Sequence, residues 1–116
     1  WRIQMKKIAM LTCLKANTVC TGAACFQALH ERTKSFARYQ GEDVWAAAFM
    51  RCNGCGSDPL RDEGIREKVE RLAKEQISAV HVGVCTKNKD GKRCQNIETI
   101  MKMIEAQGIS VVDGTH

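Results

Sequence analysis

Seven cysteines stand in a chain of 116 residues, at positions 13, 20, 25, 52, 55, 85 and 94. Thiolates bind metal ions, ligate iron–sulfur clusters and exchange disulfides, and their spacing and surroundings decide which. An odd number cannot pair completely into internal disulfides. The most informative spacing lies in "FMRCNGCGSDPLRD", residues 49–62, where Cys52 and Cys55 bracket Asn53 and Gly54. Two intervening residues form a turn that lets both sulfurs grip one ion, or lets one sulfur attack a disulfide while the other resolves it. Gly54 removes side-chain bulk, and asparagine is among the non-glycine residues that best tolerate a left-handed backbone. Metal binding is the favoured reading of this pair. A dithiol couple is the alternative, and two inert buried thiols the third possibility.

The other candidates carry smaller signals. In "TVCTGAACF", Gly22 permits a tight loop between Cys20 and Cys25, while Cys25 could equally pack beside Phe26 as a small hydrophobe. Cys13 and Cys85 each close an apolar run, and Cys94 follows the polar loop "TKNKDGKR" ahead of a helix; cysteine also often fills a small apolar niche. Of the histidines, His30 reads as a surface residue beside Glu31 and Arg32, and His81 as a hydrogen-bonded core imidazole between valines. His116, closing "DGTH", is a candidate ligand.

These side chains need a scaffold, and the hydrophobic pattern supplies one. "MKKIAMLT" (5–12), 44–50, "SAVHVGV" (78–84) and "ISVVDGTH" (109–116) are short apolar runs. Between them lie segments with helical spacing. Residues 24–37 place Phe26, Leu29, Thr33 and Phe36 on one face. The segment opened by Asp58-Pro59, with Asp58 as N-cap, carries Ile65, Val69, Leu72 and Ala73. The segment after Cys94 carries Ile97, Ile100, Met101 and Ile104 and ends at Gly108. This β-α-β-α-β-α-β order without hairpin signals predicts an α/β fold. It is a single three-layer domain with a four-stranded parallel sheet and helices on both faces. Right-handed crossovers favour strand order 2-1-3-4, as in flavodoxin-like folds. All seven cysteines then fall at the carboxyl edge of the sheet, where open α/β sheets build their sites. With strand one central, Cys13, Cys52, Cys55 and Cys85 are expected to converge.

Composition excludes several classes. With 44% hydrophobic and 27% charged residues the chain can form a core and stay soluble, and its net charge of +5 is spread among acidic residues as in "REKVERLAKEQ". No basic block is interleaved with aromatics, so nucleic acid is not an expected partner. No apolar run approaches the roughly 20 residues that span a bilayer, so no membrane partner is expected either. "MKKIAMLTC" mimics a lipoprotein signal but is too short and is followed by Lys15, which leaves it as a first strand. Residues 1–4 read as an upstream extension or an expression remnant, and residues 5–116 as the domain itself. Without an export signal the expected location is the reducing cytoplasm, where clustered thiols bind metal or do redox work. "CTGAAC" is poor in glycine and lacks a P-loop lysine, which argues against phosphate binding. No histidine is placed convincingly beside a nucleophile, and no carboxylate pair suggests acid–base chemistry, so whether the chain is an enzyme stays open.

"TVCTGAACF", "FMRCNGCGSDPLRD", "AVHVGVC" and "VVDGTH" stand in the order and spacing of the CGGC-domain family, and the sequence resembles that family from Lys6 onward. These are small proteins frequent in anaerobic bacteria and archaea. The resemblance implies metal binding, with Cys13, Cys20, Cys25, Cys52, Cys55, Cys94 and His116 at matching positions. Two departures are visible: Asn53 stands where the family has glycine, and Cys94 lacks the prolines that usually surround its counterpart. Residues and resemblance together lead to one expectation. Thiolates at the carboxyl edge, Cys85 among them, hold zinc or an iron–sulfur cluster, in electron transfer or redox sensing with a partner protein. The alternative is a metal-free thiol–disulfide oxidoreductase using Cys52 and Cys55.

Overall fold

Strands buried on both faces need apolar side chains at every position, and the central runs of this chain meet that demand. The computed structural model describes residues 6–56 and 58–115, with the backbone alone at Asn17. The expectations for residues 1–4, for Met5 in the first strand and for His116 fall outside the described residues. The strands are β1 (Lys6–Thr12), β2 (Val44–Arg51), β3 (Ala79–Val82) and β4 (Ser110–Asp113). They form one parallel sheet in the order β2-β1-β3-β4, as the crossover rule predicts. Ile8, Ala9, Met10 and Leu11 of β1 and Val80 and Val82 of β3 have no exposed surface, which fits their central places.

Helices cover both faces. On one side, Ile65, Val69 and Leu72 of α2 (Glu63–Lys74) and Ile97, Ile100 and Ile104 of α3 (Gln95–Glu105) pack over Ala9, Leu11, Met50, Val80 and Val82. On the other side lie α1 (Ala23–Glu31) and a 3-10 segment, Lys34–Tyr39. They bury Cys25, Ala28, Leu29, Phe36 and Tyr39 over Ile8, Met10 and Ala79.

Two helix boundaries differ from the sequence reading. Residues 24–37 do not make one helix: Arg32 turns left-handed at φ 56° and ends α1, and Phe36 is buried from the separate 3-10 segment. Phe26, expected inside, is 43% exposed and stacks on Phe49 of β2 with ring centroids 5.6 Å apart. Asp58-Pro59 opens a turn rather than a helix, with the Asp58 carboxylate accepting from the Leu60 amide at 3.1 Å and its carbonyl accepting from Arg61 at 2.9 Å. Aspartate followed by proline is as good a turn opener as a helix opener. The cap of α2 is Asp62, whose carboxylate accepts from the amides of Gly64 (2.8 Å) and Ile65 (3.3 Å).

A bulge in β2 bears on the site. Ile8 pairs with Ala46 but Ala9 pairs with Ala48, so Ala47 is one residue too many. Val44 and Ala46 pack toward α1, whereas Ala48, Met50 and Cys52 belong to the layer of α2 and α3. Side chains alternate along a strand, so one extra residue reverses the face of everything after it. Without the bulge, Cys52 would share a face with Val44 and Ala46.

Candidate metal centre

The chain leaves β1 toward β2 on one side and leaves β3 toward β4 on the other, so the two connections diverge. A crevice opens between the carboxyl ends of β1 and β3, the position that open parallel sheets use for ligands. Cys13 follows β1 directly, and Cys85 sits in the short 3-10 turn Val84–Thr86 after β3. The Cys13 amide donates to the Cys85 sulfur at 3.4 Å, and the next amide, Leu14, donates to the Cys52 sulfur at 3.4 Å. Successive amides of an extended chain point to opposite flanks, so β1 ends with one sulfur on each side of it. Cys13 has extended backbone angles (φ −85°, ψ 133°).

Toward α1 lie two more thiols. Cys20 is exposed in the connection after β1, where its sulfur accepts from the Gly22 amide at 3.3 Å. Gly22 then takes φ +80° and lies against the Phe26–Phe49 pair, a conformation that favours glycine. Cys25, in the first turn of α1, is buried with its sulfur 3.2 Å from the Thr115 hydroxyl, itself wholly buried. Burial raises the Cys85 thiol above its ordinary pKa. The Cys13 amide opposes that shift, while the neighbouring Cys13, Cys25 and Cys20 sulfurs reinforce it.

The segment bearing Thr115 is fixed from below. Gly114, at φ +108°, has its carbonyl held by the Ser35 hydroxyl at 2.6 Å and by Nδ1–H of His81 at 3.1 Å. Since Nδ1 donates to that carbonyl, Nε2 of His81 is the acceptor for the Tyr39 hydroxyl, 2.7 Å away. His81 is thus the hydrogen-bonded core imidazole that its place between valines implied, and His30 is exposed on α1. At the far edge, Arg93 pairs with Asp113 and donates to the Thr86 hydroxyl at 3.1 Å, while Lys87 lies 3.1 Å from Asp113. Hydrogen bonds from Arg93 and Lys87 hold the Asp113 carboxyl below its ordinary pKa and tie the connection after β3 to β4.

On the α2 and α3 side, Cys52 is 4% exposed and Cys55 is exposed. Their loop is strapped to both helices. The Lys68 ammonium donates to the Arg51 carbonyl and to the Asn53 side chain, each at 2.8 Å, and Asn53 donates to Asp62 at 3.1 Å. Asn96 of α3 donates to the carbonyls of Gly54 (3.4 Å) and Cys55 (3.3 Å). Partial burial, and to a lesser extent the Arg51 charge, hold Lys68 below its ordinary pKa, with Cys52 and Asp62 opposing. Asn53 therefore works as a connector. Losing the two Lys68 hydrogen bonds in Lys68→Met should make Cys52 react with a small thiol reagent about thirtyfold faster, for a net bond worth of roughly 1 kcal/mol each. Stopped-flow alkylation kinetics against a Cys52→Ser control would check this, and an unchanged rate would refute the strap.

Cys94 is half-buried at the N-terminus of α3, with its amide on the Thr86 carbonyl at 2.8 Å and its side chain against the α2–α3 core. The expected convergence of Cys13, Cys52, Cys55 and Cys85 is thus partial. Cys85 and Cys52 flank the end of β1, Cys20 and Cys25 act on Cys85, and Cys55 and Cys94 are anchored to α3. Among the described residues, no three or more His, Cys, Asp or Glu side chains form a group that could hold a metal ion as they stand. The donor set nonetheless has the chemistry of a thiophilic ion or cluster, with none of the seven cysteines in a disulfide and all seven in segments that follow strand ends. Sequence reasoning missed Lys68, Ser35, Tyr39 and Thr115, which carry no local motif and act through tertiary contacts alone.

Among the described residues, no helix is long and apolar enough to cross a membrane. Residues 7–116 match the family model of the CGGC domain. No curated protein matches the chain.

Proposed function

The chain belongs to the CGGC-domain family, and from that premise we propose that it is a cytoplasmic metal-binding protein. Cysteine thiolates at the carboxyl edge of the sheet, together with His116, are the donors from which zinc or an iron–sulfur cluster draws its ligands. The observation that carries this reading is the pair of hydrogen bonds by which consecutive amides at the end of β1 receive the sulfurs of Cys85 and Cys52. Thiols separated by more than thirty residues are thereby brought to one rim.

Zinc on thiolates would supply a closed structural centre, and an iron–sulfur cluster an electron-transfer or sensing centre with a redox partner protein. The protein's own part is to hold the thiols at a fixed rim. The Cys13 and Leu14 amides orient two sulfurs, Thr115 orients Cys25, and the Arg93–Asp113 pair keeps the neighbouring connection in place.

Protein isolated without oxygen should contain about one metal centre per chain, read as zinc, iron and acid-labile sulfide together with the ultraviolet–visible spectrum. Stoichiometric zinc in colourless protein selects the ion, and sulfide with visible absorption selects the cluster. Metal-free protein that cycles one thiol pair at a mild potential would replace this reading with the oxidoreductase.

A further inference from the structure

The two edges of the sheet are built differently. β4 is four residues long and its Asp113 is held by Arg93 and Lys87, the short and charged form in which exposed edges usually end. β2 is eight residues long, and its stretch "VWAAAFM" carries neither charge nor proline. Among the described residues no strand lies beyond it. Trp45 is 44% exposed on this edge, and it lies on the face of α2 and α3, because it pairs with Lys7, two residues before Ala9 of that layer. On the same face a groove of about 400 Å³ runs along β2 and α2, lined by the apolar Ala48, Met50 and Leu72 and by the charged Glu67, Lys68 and Arg71.

We propose that β2 pairs antiparallel with β2 of a second copy of this chain, about a two-fold axis that passes between Ala47 and Ala48. An axis that relates antiparallel neighbours stands perpendicular to the sheet, so residues opposite each other lie on the same face. Before the bulge Val44 and Ala46 face α1; after it Phe49 faces α1, while Ala47, Ala48 and Met50 belong to the other layer. Pairing about the Ala47–Ala48 midpoint matches every face: Ala46 meets the second copy's Phe49, Val44 meets its Arg51 and Trp45 meets its Met50. It matches the backbone as well. The Cys52 amide and the Asp43 carbonyl bond back to β1, so alternation turns the amides and carbonyls of Val44, Ala46, Phe49 and Arg51 outward, where the two copies exchange them. The second copy's Trp45 then sits opposite Met50, at the apolar groove, as a large anchor in a pocket. Its exposed Asp43, two residues earlier on the same face, comes opposite Cys52 and beside the Lys68 ammonium, which bonds the Arg51 carbonyl. Among the described residues neither Asp43 nor Lys68 is in an ion pair, so the dimer gives each an opposite charge. Antiparallel pairing points the two carboxyl rims in opposite directions, so this interface leaves the thiols uncovered.

The test is sedimentation of the full chain, with reductant present so that thiols do not link the copies, joined to amide hydrogen exchange read by NMR. Wild type should sediment as a dimer at the sub-millimolar concentrations that NMR uses. Trp45→Ser should weaken association about thirtyfold or more, the loss that follows truncation of a central anchor. Asp43→Lys, a change at an exposed position that keeps the test decisive if Trp45→Ser does not fold, should weaken it about tenfold or more. Val84→Ser, which removes an exposed apolar side chain at the end of β3, should leave it unchanged. The amides of Ala46 and Phe49 should exchange slowly in the wild-type dimer and fast in the Asp43→Lys chain. A wild-type chain that stays monomeric, a dimer that both Trp45→Ser and Asp43→Lys leave intact, or one whose Ala46 and Phe49 amides exchange fast overturns the proposal.

Discussion

Phe36→Ala should destabilise the protein by about 4 kcal/mol, the usual cost of emptying a fully enclosed phenylalanine site. Phe36 has no exposed surface, and its ring centroid lies 4.4 Å from His81 and 6.3 Å from Tyr39. It comes from a 3-10 segment rather than a long helix, so little regular structure can close around the space it leaves. Phe26→Ala is the internal control: that ring is 43% exposed and should cost about 1 kcal/mol. Urea unfolding of the two variants separates them, and for a domain of this size the Phe36 loss corresponds to a fall in Tm of about 20 °C. Equal losses at the two positions would refute the packing described for the α1 layer.

Acid should weaken the fold in a window set by His81. Burial holds its pKa down, from 6.5 to about 4, with the Arg38 charge adding to the shift and the hydrogen bond to the Gly114 carbonyl opposing it. The groups facing the ring are Tyr39, Ser35, Phe36 and the Gly114 carbonyl, none of them acidic, so nothing there stabilises an imidazolium. The unfolded chain therefore binds a proton at higher pH than the folded one. Stability from the neutral ring is complete above pH 6.5, falls as the pH drops toward 4 and has been lost below that, a change of roughly 3 kcal/mol at most. Protonation also removes the Nε2 acceptor of the Tyr39 hydroxyl, while Nδ1–H keeps its bond to the Gly114 carbonyl. Unfolding free energies at half-unit steps from pH 7.5 to 4 would show the slope. His81→Gln, which keeps a hydrogen-bonding side chain without the titration, should flatten it, and an equal slope in that variant would remove His81 as the cause. Asp113, held below its ordinary pKa by hydrogen bonds from Arg93 and Lys87, contributes only at still lower pH.

Much of the architecture is legible in the chain because it follows from periods and signs. The apolar runs that become β1 and β3 carry no alternation, as strands covered on both faces require, and the stripes Ile65-Val69-Leu72 and Ile97-Ile100-Ile104 emerge as the buried faces of α2 and α3. Boundaries fare worse where one residue serves two purposes. Asp58-Pro59 and Asp62 compete to open α2, and only the amides of Gly64 and Ile65 decide for Asp62. Arg32, in a left-handed conformation that no sequence signal marks, divides the predicted 24–37 helix.

What the sequence determined by itself was a rim: parallel connectivity sends every segment after a strand to one edge, so the cysteines' places in the chain were enough to put them there. Which side of the sheet each sulfur took was decided only in three dimensions. In "VWAAAFM" any alanine could be the supernumerary one, since identical small side chains carry no alternation to fix the register. Pairing with β1 sets the bulge at Ala47, and that one residue turns Cys52 away from Cys25. The physical reason is the two-residue repeat of a strand, which is blind in a uniform run until a neighbouring strand fixes its register.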